Sequence, residues 1–83
     1  MKANPHIVRY LYDEIARADE RYGGFKSTHE GLGVLLEEGI ELLEAVHKND
    51  RLEIRKEAIQ VAAVAVRLAI SVDDDETWER STK

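Results

Sequence analysis

The stretch from Ala58 to Ile70 constrains this chain more than any other: Ala-Ile-Gln-Val-Ala-Ala-Val-Ala-Val-Arg-Leu-Ala-Ile. Only Gln60 and Arg67 interrupt it, so a helix through this segment is apolar nearly all the way round. A helix of that kind is covered on every side in the folded protein. The whole chain has 83 residues, and a chain of this size buries only about 60% of the surface its unfolded form exposes. It contains no cysteine, so neither disulfides nor thiolate zinc sites can supplement a small core. The expectation is a single all-α domain over residues 1–83, a small helical bundle completed by oligomerisation, as a homodimer or homotetramer.

Three main helices follow from periodicity and punctuation. Asn4-Pro5 pairs a capping side chain with proline at the first helical position. Ile7, Val8, Leu11, Ile15 and Ala18 then form one apolar stripe, with Asp13, Glu14, Arg17, Glu20 and Arg21 on the other face. This predicts a helix over about 5–21, ended by Gly23-Gly24. Ser27-Thr-His-Glu30 reads as a capping box, in which Glu30 reaches back to the serine amide, and opens a helix over about 28–48. Gly39 inside it either admits a close neighbour or has no role. Asn49-Asp50 closes that helix and caps a third over about 51–72. Asp73 to Glu76 suits the start of a short helix over about 75–80, carrying Trp78, better than a second metal site.

Charge and hydropathy exclude several classes of function. A net charge of −5 disfavours a nucleic-acid binder and adsorption to anionic membranes. No segment approaches the roughly 18 uninterrupted apolar residues of a membrane span. The first residues lack the apolar run of a signal peptide, so a cytoplasmic protein is expected.

The chemistry-bearing residues fall in two groups. Glu38 and Glu41 are three apart, as are Glu57 and Gln60, and residues at i and i+3 share a helix face. If the second and third helices pack side by side, three carboxylates and an amide converge. An all-oxygen site of this kind suits hard divalent cations, Mg²⁺ first and Mn²⁺ after it. Glu37, Glu38, Glu41 and Glu44 read alone would be a solvated acidic face. Glu57 and Gln60 weigh against that reading because they stand at the entrance to the most apolar part of the chain, where polar groups need partners or a ligand. Arg67, two turns beyond Gln60 on the same face, can hold a phosphate oxygen or lie along an interface.

Glu37-Glu38-x-x-Glu41 followed by Glu57-x-x-Gln60 resembles the EExxE…ExxD signature of the MazG-like, all-α nucleotide pyrophosphohydrolases. The resemblance covers about Phe25 to Val72. It implies hydrolysis of nucleoside triphosphates, or their deoxy forms, to the monophosphate and pyrophosphate with Mg²⁺, in a homo-oligomer. Carried over by position, Glu38, Glu41 and Glu57 would be metal ligands. Glu37 would assist from the edge or orient and activate water. Lys26, His29, Gln60 and Arg67 would contact substrate. Gln60 departs from the pattern, which has aspartate there: an amide carbonyl can coordinate a metal but adds no charge and cannot act as a base. The alternative is a non-catalytic helical module that binds nucleotide or oligomerises on the same scaffold.

Overall fold

The computed structural model describes residues 2–74. Within them the chain forms three helices, α1 (Pro5–Tyr22), α2 (Thr28–Lys48) and α3 (Arg51–Asp74). The short helix expected over 75–80, and Trp78 with it, lies outside the described residues. The architecture is a small all-α helical bundle. No described helix is long and apolar enough to cross a membrane.

Each helix begins where a side chain can satisfy its free amides. The Asn4 Oδ1 accepts from the amides of His6 at 2.9 Å and Ile7 at 3.4 Å, with proline in the first turn. At the start of α2 the Glu30 amide donates to Ser27 Oγ at 3.1 Å. The return half of that cap differs from expectation: Glu30 Oε1 accepts from the Lys26 amide at 2.8 Å, one residue before the serine. This ties the connector down as well as the helix start. The Glu53 amide donates to Asp50 Oδ1 at 3.2 Å, opening α3. Two left-handed or glycine-type conformations end the first two helices: Gly23 with φ 73°, and Asn49 with φ 56° and ψ 35°.

Packing is centred on α3. Both α1 and α2 lie against it, and α1 and α2 make no close backbone approach to each other. The result is a groove walled by α1 and α2 and floored by α3. The α1–α2 connector crosses the far end of this floor, where Arg67 Nη2 donates to the Gly23 carbonyl at 3.0 Å and the Phe25 amide to Ser71 Oγ at 3.2 Å. Gly31 lets the start of α2 approach closely, since a Cβ there would stand 2.5 Å from Leu68 Cδ1 and 3.2 Å from Phe25 Cδ2.

The core is thin. Among the described residues the buried apolar ones are Ala18, Ala45, Ala63 and Val64, and no large side chain is fully buried. One chain leaves part of α3 uncovered, as expected of a helix that its own two neighbours cannot surround: Ala65, Ala69 and Ile70 are exposed. Two helices can cover only two sides of a third. More of the uncovered apolar surface lies on α2, where Leu32, Leu36, Ile40, Leu43 and Val46 stand about half exposed.

The two glycines near the start of α2 are expected to respond oppositely to substitution. Gly33 has open space around its Cβ position, so Gly33→Ala should raise stability by about 0.5–1 kcal/mol through helix propensity. Gly31→Val should lower it by about 1–3 kcal/mol by overpacking against Leu68 and Phe25. Urea unfolding of the two variants measures both, and equal effects would mean that the Gly31 contact does not constrain the fold.

Candidate metal centre

Three acidic side chains from two helices meet beside the groove. Glu38 and Glu41 share a face of α2, and Glu57 projects from α3. Glu41 and Glu57 sit at nearly equal distances either side of the Asn49-Asp50 turn, so folding the hairpin brings them level. One carboxylate oxygen from each of the three lies within 4.8 Å of the others. Glu57 is buried, at 7% exposure, Glu38 is half-buried, and Glu41 is exposed.

Such a cluster is under electrostatic strain. Burial raises the Glu38 carboxyl above the ordinary glutamate range, and the charges of Glu41 and Glu57, a hydrogen bond with Glu41 and the charge of Glu14 raise it further. Burial likewise raises Glu57, reinforced by the hydrogen bond with Glu41 and that neighbour's charge. Lys56 pulls in the opposite direction. No arginine or lysine forms an ion pair with the three among the described residues, where the ion pair found is Arg17 with Glu14. Three converging carboxylates without an ion-pair partner match the donor chemistry of a hard divalent cation, which would supply positive charge among them.

The groove itself holds a cavity of about 490 Å³, within the range of small-molecule pockets. Glu38 and Gln60 line it toward the carboxylate cluster, and Ala18, Val34, Ala63 and Val64 supply apolar wall. Phe25, Lys26 and Arg67 line it toward the connector. Arg67 is unusual: it is only 8% exposed, lies 4.5 Å from the Phe25 ring centroid, and has a buried Nε with no hydrogen-bond partner. The cavity is thus bordered by one carboxylate of the cluster, Glu38, and by a guanidinium, Arg67, neither of which has an ion-pair partner among the described residues.

Of the residues singled out from the sequence, Glu38, Glu41 and Glu57 form the cluster, while Gln60, Lys26 and Arg67 line the adjoining cavity. Glu37 is exposed on α2 and outside the cluster, and His29 is exposed in the first turn of α2 and does not line the cavity. Glu14, expected on the solvated face of α1, is partly buried against the cavity, and Arg17 stays exposed as expected while reaching the cavity rim, its Nε donating to Glu14 Oε1 at 3.2 Å. A signal for Glu14 was present in the sequence: it falls between Leu11 and Ala18 on the apolar stripe itself. No family model, curated protein or solved structure matches the chain.

The raised carboxyls make a pH-dependent prediction for the metal-free protein. Glu38 and Glu57 take up protons more readily in the folded chain than in the unfolded one. Their contribution to stability is full below the ordinary glutamate pKa of about 4.3 and is lost as pH rises through their raised values. Between pH 7 and 5 in chelator, falling pH should therefore raise the melting temperature. Glu38→Gln should flatten that slope and melt higher than the unsubstituted chain at pH 7. An unchanged slope in the variant would place the source of the effect elsewhere.

Proposed function

We propose that this protein is a divalent-metal-dependent nucleoside triphosphate pyrophosphohydrolase of the MazG-like kind, acting on nucleoside triphosphates or their deoxy forms. The observation that carries the reading is the convergence of Glu38, Glu41 and Glu57 next to a cavity that also holds a buried arginine with an unpartnered donor. A polyphosphate–metal complex meets both demands at once, with its cation facing the carboxylates and its anionic oxygens facing the guanidinium. The motif Glu37-Glu38-x-x-Glu41…Glu57 supplies the choice of reaction.

In this reading Glu38, Glu41 and Glu57 hold Mg²⁺. The ion, when bound, offsets the triphosphate charge and favours attack by water on the α-phosphorus. The bond from that phosphorus to the bridging oxygen breaks, and pyrophosphate leaves with the electron pair. Arg67 is held by the Gly23 carbonyl and the Phe25 ring, so its positive charge is fixed at the cavity wall, where it would attract an anionic oxygen. Lys26, at the same end, adds a second positive charge. Glu37, on the exposed flank beside the cluster, is the candidate for orienting water. The apolar wall between the two ends excludes solvent from part of the bound molecule.

One feature favours a second reading, in which the chain binds nucleotide without hydrolysing it. Gln60 lines the cavity beside Glu38, so the position that carries aspartate in the family pattern is neutral here. Pyrophosphate release from a panel of nucleoside triphosphates with Mg²⁺ separates the two. Hydrolysis of at least one, reduced at least about 100-fold by Glu41→Gln, is the expected result. Glu41 is exposed, so that variant tests the chemistry with little disturbance of the core. Turnover by Glu41→Gln at the original rate would remove the metal-site assignment, and metal-dependent binding with no pyrophosphate from any substrate would leave the binding module. Arg67→Lys should raise KM about 10-fold with a smaller change in kcat, since it retains charge but loses the planar fork.

A further inference from the structure

The outer face of α2, opposite its contact with α3, carries an unbroken apolar stripe. Leu32, Leu36, Ile40, Leu43 and Val46 follow one another at intervals of three or four residues, each between 49% and 59% exposed. The inward residues of the same helix are Gly31 and Ala45, with Val34, Glu38 and Leu42 partly covered. Helix α2 is therefore apolar on two opposite faces, with Glu37, Glu41 and Glu44 confined to the flank between them. A helix with one covered side needs only one such face.

The stripe has an internal symmetry. Leu36 and Leu43 lie at equal distances either side of Gly39-Ile40, and Leu32 and Val46 nearly so. Gly39 sits at the centre, and nothing lies within 4 Å of where its Cβ would be. We infer that this face is the contact between two copies of the chain, in which α2 packs antiparallel on the second copy's α2 about a two-fold axis passing close to Gly39. Such an isologous contact needs a patch that complements itself when reversed, which a pattern symmetric about its own midpoint provides. Leu36 of each copy then meets Leu43 of the other, and the absent side chain at Gly39 lets the helices approach most closely where they cross.

The areas agree with this occupant. Five half-exposed aliphatic side chains offer an apolar patch on the order of 400 Å² per copy, within the range of about 300–600 Å² for the largest patch on a soluble chain, which is often an interaction site. Doubled, and with the rim included, the contact reaches the roughly 1,000 Å² at which specific association begins. It also adds burial to a thin core, since no large side chain among the described residues is fully buried. The symmetry further places the Glu37–Glu44 flank of one copy beside the same flank of the other, in chains of net charge −5. Association is thus driven by apolar burial against like-charge repulsion, and salt should strengthen it.

The chain has no cysteine, so a single introduced thiol reports on the axis directly. Gly39→Cys should give a covalent dimer under mild oxidation, whereas Leu52→Cys, 71% exposed on α3 and away from the stripe, should remain single under the same conditions. Sedimentation velocity of the unsubstituted protein should show a dimer whose dissociation constant falls as NaCl rises from 50 to 500 mM, concentrations chosen to span about a threefold change in screening length. Leu36→Glu should weaken it at least about 100-fold, with helicity retained by circular dichroism. A monomer at all concentrations up to the millimolar range would overturn the inference. So would a dimer that ignores Leu36→Glu, fails to cross-link at position 39, or weakens as salt rises. If Leu36→Glu does not fold, the thiol result decides alone. None of these readouts depends on turnover, so the assignment of the metal centre stands or falls separately.

Discussion

Everything in this fold depends on α3 serving as the only surface that both other helices touch. Helices α1 and α2 flank it without meeting, which opens a groove directly above its most apolar segment. Small side chains make this arrangement workable. Ala18, Ala45 and Ala63 occupy the tightest positions and Gly31 admits the side chain of Leu68, so the backbones approach closely enough to form a core from little volume. The same economy leaves the core thin, and apolar surface remains on the outside of α2.

The groove collects polar groups that the packing does not otherwise satisfy. At one end, carboxylates are forced together by the geometry of the α2–α3 hairpin. At the other, Arg67 is held in the wall by a backbone carbonyl and an aromatic ring while part of its donor capacity is unused. Burying charge in this fashion is costly unless an opposite charge arrives. The two ends ask for charges of opposite sign, and a metal–polyphosphate complex carries both. That complementarity is the physical basis for the proposed activity, and it involves α1 as well, through Glu14 and Arg17 along the groove.

Most of the helical framework was legible in the chain itself. The boundaries implied by Asn4-Pro5, Ser27 and Asn49-Asp50 agree with the helices observed to within two residues, because capping is a local interaction between a side chain and amides a few positions away. The i, i+3 pairing of Glu38 with Glu41 was legible for the same reason. Glu14 is partly buried despite its charge, because its position between Leu11 and Ala18 lies on the apolar stripe and helix rotation outweighs side-chain type. Periodicity reports which faces of α3 are apolar, and packing shows which of them one chain covers: Ala65, Ala69 and Ile70 stay exposed.

By itself, then, the sequence determined the helices, their caps, the hairpin turn and the acidic spacing, all of which follow from interactions spanning a turn or two of chain. Tertiary structure alone decided how closely Glu57 stands to Glu38 and Glu41, that Arg67 folds under Phe25 and Gly23, and that α2 has a second apolar face turned outward. These features depend on the distance between helices and on their rotation about their own axes. Both are set by the sum of many weak side-chain contacts, and no local pattern encodes that sum.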